Sequence, residues 1–233
     1  MSIGCANRRL RYPILSLLQR NEAMSSVETT LNNLKTFFEK QIEQFGTSAK
    51  GVDWKDQASQ YHRFDQLLRI HPDKSQPFSI LDYGCGYGAL VGFLQDRGLD
   101  FTYTGYDMNE KALEQGQGAF GAANVTFTSD EANLPQADYV IGSGLYNMKF
   151  DTPEAEWKTH ILRTTDRMWA LSKRGLAFNS LTSYSDADKM RADLYYADPL
   201  WLFDYCKRNL SRQVALLHDY GMYDFTILVR REA

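Results

Sequence analysis

Apolar positions recur at helical spacing through Val27, Leu31, Leu34, Phe38, Ile42 and Phe45, and Gly46 follows. That period predicts a helix with one buried face, closed by a residue free to adopt the left-handed conformation. Ahead of it, Ser25-Ser26-Val27-Glu28 reads as a capping box, with Ser25 at N-cap and Glu28 at N3. A polar linker, residues 47–51, leads to Trp54 and a second helix carrying Tyr61, Phe64, Leu67 and Leu68. His71-Pro72 stops it, because proline cannot continue a helix and restricts its predecessor.

From residue 77 the period changes. Short apolar runs at 78–82, 101–106, 125–128, 138–141 and 175–181 predict strands, the first two followed by helices at 87–97 and from Asn109. Thr152-Pro153-Glu154 reads as N-cap, N1 proline and first-turn acid of a long helix, with Trp157, Ile161, Thr164, Met168 and Leu171 on its buried face. Asp198-Pro199 opens another helix. The last two strands, 214–218 and 223–229, are joined by the tight turn Asp219-Tyr220-Gly221-Met222. A turn that short forces an antiparallel pair, whereas the earlier strands are joined through helices as in a parallel sheet.

Composition narrows the picture in three ways. A chain of 233 residues, 43% apolar and 24% charged, holds one α/β unit with an N-terminal extension. The net charge of −3, with no basic face, argues against a nucleic-acid partner. Cys5, Cys85 and Cys206 are scattered and odd in number, so neither a disulfide framework nor a metal cluster is expected, and a reducing cytoplasm is the natural compartment. No stretch has the length of a membrane span. The first 23 residues stand apart, with Arg8, Arg9, Arg11 and Arg20 against Glu22, a charge of +3. The remainder has 22 bases and 28 acids, −6. We therefore expect residues 1–24 to be a disordered leader with translation starting at Met24, residues 25–76 a helical lid, and 77–233 the core.

The chemistry concentrates at Ile80-Leu81-Asp82-Tyr83-Gly84-Cys85-Gly86-Tyr87-Gly88 and at Asp107. A strand ending in a glycine-rich turn lets backbone N–H groups approach a ligand, and an acid at the tip of the next strand suits the two hydroxyls of a ribose. The spacing is G-x-G-x-G rather than the dinucleotide G-x-G-x-x-G, and Asp82 two residues ahead would repel a pyrophosphate. It suits a ligand carrying an ammonium. Here the sequence resembles the class I, Rossmann-like S-adenosylmethionine (SAM) dependent methyltransferases, over roughly residues 78–230.

The resemblance implies a three-layer α/β fold with a seven-stranded sheet whose last strand is antiparallel. It implies SAM as cofactor, with Asp82, Gly84, Gly86 and Gly88 at the methionine end and Asp107 on the ribose. Met108 would lie against the adenine, Asp130 or Glu131 at its amine, and Ser143 near the methionine. Gln60 or Arg63 would meet the SAM carboxylate. NAD-dependent oxidation is disfavoured by the glycine spacing and the terminal strand pair. For the acceptor, strand-end placement selects Tyr146 after the fourth strand, and His218 with Asp219 after the sixth, His218 as general base. His62, His71 and His160 have no comparable placement in sequence. No metal is expected, the Asp186-x-Asp188 pair reading as solvated. The expected activity is methylation of a small molecule, at oxygen rather than nitrogen. The rivals are a protein side-chain acceptor and a non-catalytic nucleoside-binding regulator.

Overall fold

The computed structural model describes residues 17–232, with side chains from residue 26 onward. Of the expected leader, residues 1–16 lie outside the described residues. Seven strands form one sheet: β1 (Phe78–Tyr83), β2 (Phe101–Tyr106), β3 (Val125–Thr128), β4 (Ala137–Gly142), β5 (Ser172–Leu181), β6 (Gln213–Leu217) and β7 (Asp224–Arg230). Their order is β3-β2-β1-β4-β5-β7-β6. The first five pair in parallel, and β7 runs antiparallel to both β5 and β6.

Six helices cover this sheet: α1 (Leu17–Phe45), α2 (Gln57–Leu67), α3 (Ala89–Asp96), α4 (Glu110–Phe120), α5 (Glu154–Leu171) and α6 (Pro199–Asn209). The central strands are buried on both faces, as parallel strands covered by helices must be. Phe78 and Ile80 of β1 join a core with Phe64, Leu90, Phe93 and Leu113 from α2, α3 and α4. Leu81 and Tyr83, on the alternate face, join Trp157, Ile161, Met168 and Leu202 from α5 and α6. Among the described residues, no helix is long and apolar enough to cross a membrane.

α1 belongs to both layers. Its Leu34 packs into the α5 core and its Ile42 into the α3 core, so the helix bridges the two layers. The hydroxyls of Thr30 and Thr152 meet near the middle of the helix, and Glu43 pairs with Lys111 of α4 at its C-terminal end. Gly46 ends the helix at φ 59°, its N–H donating to the Ile42 carbonyl at 2.9 Å.

Three local expectations change. α1 begins at Leu17, so Ser25 lies inside the helix. No proline or glycine stands between residues 17 and 45 to oblige a start at the serine. Pro153, not Thr152, is the N-cap of α5. Its carbonyl accepts the N–H of Glu156 and of Trp157, while the Thr152 hydroxyl is engaged with Thr30. On α5 the buried threonine is Thr165, whose hydroxyl is bonded to Ile161 O and Tyr146 Oη. Thr164 faces the cavity described below.

The N-terminal helices are tied to the far strands by a buried ion pair. Arg63 Nη2 of α2 meets Asp224 Oδ2 of β7 at 2.5 Å, the two side chains 10% and 0% exposed. Removing one partner leaves the other charged without compensation in a low-dielectric interior, which typically destabilises by about 3–5 kcal/mol. Arg63→Ala is therefore expected to lower the melting temperature sharply, and Arg63→Met with Asp224→Asn much less. Equal losses in thermal denaturation would show that the pair acts only through packing.

Candidate functional site

The site grows from the two strand ends. Gly84 and Gly86 take φ of 77° and 55°, a region closed to most side chains. They also have no room for one: a Cβ on Gly84 would stand 2.3 Å from the Leu145 side chain, and on Gly86 2.7 Å from Val52. The turn is pinned to β2 because the N–H groups of Gly84 and Cys85 both donate to the Tyr106 carbonyl, at 2.7 and 2.9 Å. Asp107 then links the two ends. Its Oδ2 accepts the Gly86 N–H at 2.8 Å and its Oδ1 the Asn109 N–H at 2.9 Å, at the head of α4. Burial raises the Asp107 pKa, opposed by these backbone donors and that of Met108.

Asp82 lies beneath the turn, 3% exposed, and accepts the Tyr103 hydroxyl at 2.9 Å. Desolvation, with a further push from the negative Asp107, carries its pKa up to about 7 against the stabilising Tyr103 bond.

These residues line one end of a cavity of about 420 Å³. After β4, Ser143 and Gly144 continue the lining, with Gly144 N–H donating to Asn179 Oδ1 at 2.7 Å. Trp54 lies on Gly144 so closely that a Cβ there would come within 2.9 Å of the indole. The Arg63 guanidinium lies 4.1 Å over the same ring, so the buried ion pair holds a wall of the cavity. The roof is α1, presenting Leu31, Leu34, Lys35, Phe38 and Ile42. The opposite wall is α5, presenting His160, Arg163, Thr164 and Arg167.

Eight sequence-predicted residues meet here: Gln60, Asp82, Gly84, Gly86, Asp107, Met108, Glu131 and Ser143. Others stand elsewhere. Gly88 is the left-handed N-cap of α3, against Phe127. Asp130 folds back on its own turn, accepting the N–H groups of Ala132 and Asn133. Arg63 is engaged by Asp224, and Gln60, one turn earlier, is the residue of that pair that lines the cavity. Tyr146 is fully buried, its hydroxyl 2.9 Å from Thr165, and burial holds that phenol's pKa well up. His218 and Asp219 follow the edge strand β6 and are not part of the lining. The His218 ring packs near Tyr184 and Phe225, with centroids 5.8 and 6.1 Å away. Asp186 accepts the Tyr223 hydroxyl, and Asp188 pairs with Lys189 at 3.2 Å.

Sequence reasoning missed His160. Its ring lies 4.8 Å from that of Trp157, and burial, with the nearby Arg163 charge, lowers its pKa to about 4. The available signal was a polar stripe, 160-163-164-167, at helical spacing beside the apolar stripe of the same helix.

The residues present fit an adenosyl ligand carrying an amino acid. The carboxylate of Asp107 is held at the tip of β2, where a ribose would reach it. Cavity-lining Gln60, Ser143 and Asn109 each keep a buried polar atom, Oε1, Oγ and Nδ2, without a protein partner. Such atoms normally find one.

A β3-β2-β1-β4-β5-β7-β6 sheet with this strand-end pair defines the Rossmann-like methyltransferase class. The methyltransferase-domain family model matches residues 80–164. A curated Mycobacterium tuberculosis protein, Rv1506c, named as a candidate methyltransferase, is 51% identical over 158 residues, 67% of this chain and 95% of its own length. The chain therefore belongs to the class I SAM-dependent methyltransferases. Two solved structures share the fold. One is the Burkholderia thailandensis 1,6-didemethyltoxoflavin N1-methyltransferase with S-adenosylhomocysteine (TM-score 0.56, 16% identity, 96% of this chain and 94% of that one). The other is the Synechocystis magnesium protoporphyrin IX methyltransferase with the same bound product (TM-score 0.50, 14% identity, 95% and 90%).

Burial of Asp82 has a signed consequence. An unfolded aspartate releases its proton near pH 4, the folded one near 7, so the fold favours the protonated form. Stability from this residue is highest at low pH and falls as pH rises from about 4 through 7, by on the order of 2–4 kcal/mol. Asp82→Asn is expected to raise the melting temperature most at pH 8, less at pH 5 and little at pH 3.5, below both pKa values. The same shift at all three would refute the buried-carboxylate account.

Proposed function

We propose that this methyltransferase acts on a small-molecule acceptor, at oxygen, inside the cavity between α1 and α5. The observation that carries the reading is continuity: a single cavity runs from the glycine turn and Asp107 to the apolar face of α1 and the polar face of α5. SAM, when bound, supplies an electrophilic methyl group on a sulfonium, which departs as a neutral thioether. The protein's own work is then to align and enclose, which is catalysis by positioning.

Asp107 takes the ribose hydroxyls, and Met108, 36% exposed, offers the adenine an apolar flank. Gln60 Oε1 and Ser143 Oγ accept from the methionine ammonium, with Asp82 beneath supplying negative charge. Trp54 and the α1 roof exclude water from the methyl carbon. A hydroxyl acceptor must lose its proton, and His160 is the histidine of the lining. A neutral imidazole carries one acceptor nitrogen, and a pKa near 4 keeps it neutral at physiological pH. Oxygen is favoured over nitrogen because Lys35, Arg163 and Arg167 line the acceptor side and repel a protonated amine. A protein side chain is the rival acceptor, but it would have to pass beneath α1.

Asp107→Ala is expected to weaken S-adenosylhomocysteine binding by at least about a hundredfold in calorimetric titration, since it loses two charge-assisted hydrogen bonds. Retained affinity would remove Asp107 from the ribose. His160→Phe is expected to lower turnover by about tenfold or more with that affinity kept, whereas His218→Ala leaves turnover unchanged. The reverse pattern would return the base role to His218.

A further inference from the structure

The acceptor end of the cavity has a chemistry of its own. Residues 129–136 connect β3 to β4 without a helix, although the chain must cross β2 and β1 on the way. Parallel strands are usually joined by a helical crossover that covers the sheet. Here that face is left to α1 and α5, and the space between them stays open above Tyr83 and Tyr106, whose rings lie 4.8 Å apart.

The two helices bring different surfaces. α1 offers Leu31, Leu34 and Phe38 with Lys35 among them, at the i, i+3, i+4, i+7 spacing of one helical face. α5 offers the polar stripe that includes Arg163 and Arg167. The carboxylate at this end is Glu131, and it is already committed. Its Oε1 accepts the Tyr83 hydroxyl at 2.5 Å and lies 4.0 Å from Arg167 Nε, while Arg167 Nη2 donates to the Glu131 carbonyl at 2.9 Å. Lys35 and Arg163 have no ion-pair partner among the described residues. Asp82 and Asp107 belong to the glycine-turn end. The acceptor end thus carries an apolar body and two uncompensated cations.

Resting on the methyl-transfer reading above, we propose that the acceptor is an amphipathic anion. Its flat apolar body lies between α1 and the Tyr83–Tyr106 floor, and its carboxylate, sulfonate or phosphate group meets Lys35 and Arg163. The anionic group orients the acceptor, and the apolar contacts supply most of the affinity. This arrangement admits hydroxylated aromatic acids and rejects their amides, esters and amines.

A matched pair of dyes tests the charge. 8-Anilinonaphthalene-1-sulfonate and N-phenyl-1-naphthylamine differ by the sulfonate alone, and both fluoresce in apolar sites. Each is titrated into full-length protein saturated with S-adenosylhomocysteine. The sulfonate is expected to bind at least about tenfold more tightly than the neutral dye. The Lys35→Gln, Arg163→Gln double variant is expected to lose about tenfold in sulfonate affinity while its affinity for the neutral dye and for S-adenosylhomocysteine stays unchanged. Retained product affinity also shows that the variant is folded. Equal affinity of the two dyes for wild type, a comparison that needs no variant, would overturn the proposal. So would sulfonate binding that is indifferent to both substitutions, or exclusion of both dyes by the bound product. Failure of S-adenosylhomocysteine to bind wild-type protein at all would instead strike the cofactor site, before any dye is added.

Discussion

Two carboxylates held close together without a cation are the constraint around which this molecule is built. Asp82 sits in β1 and Asp107 just beyond β2, on neighbouring parallel strands in register. The groups that stabilise them are a phenol and a set of backbone N–H donors. Desolvation raises both pKa values, because the interior compensates a negative charge at either position poorly. A ligand with a positive sulfonium and a positive ammonium supplies what is missing. On the proposed binding mode, affinity for such a ligand and the cost of burying these carboxylates without it have one cause.

On the proposed reading such a site needs cover, because water would screen the charges and compete for the methyl carbon. α1 meets the need by joining two cores at once. Leu34 and Ile42, two turns apart, anchor it to the layers on opposite faces of the sheet, and the stretch between them is the cavity's roof. Trp54 is the second part of the enclosure, clamped between Gly144 and the Arg63 guanidinium. The ion pair of Arg63 with Asp224 thereby connects the shape of the active cavity to β7, at the far side of the sheet.

What the sequence made legible follows from how local each cause is. The bounds of β2 and β3 could be read to the residue, and β1 to within one: β1 is a nearly unbroken apolar run, and β2 and β3 alternate aromatic or β-branched residues with threonine between turn residues. The glycine turn and Asp107 were legible because positive φ and a strand-end acid leave marks within a few residues. Arg63 was not, since its partner Asp224 is 161 positions away and no local pattern distinguishes a paired arginine from a solvated one. Thr164 and Thr165 were exchanged because a helix turns 100° per residue, so adjacent residues at the border of a buried stripe are easily misassigned. His160 escaped for a related reason. Candidates were drawn from strand ends, the rule for open α/β sheets, whereas a wall of this cavity is the middle of a helix.

That wall separates two demands that usually compete. On α5, Trp157, Ile161, Thr165 and Met168 are wholly buried in the core, and exchanging any of them for alanine would open a cavity costing several kcal/mol in the case of the tryptophan, about 3–5. The stripe 160-163-164-167 faces the other way. On the proposed reading, changes at 163 and 164 would alter the acceptor chamber with little effect on packing, whereas Arg167 also ties the 129–136 crossover to α5 through Glu131. The short crossover at residues 129–136 is what exposes this stripe to the cavity rather than to a covering helix. On the reading proposed above, the cofactor would be held by backbone geometry at the carboxyl ends of β1 and β2, and acceptor choice would rest on side chains of α5 that line the cavity.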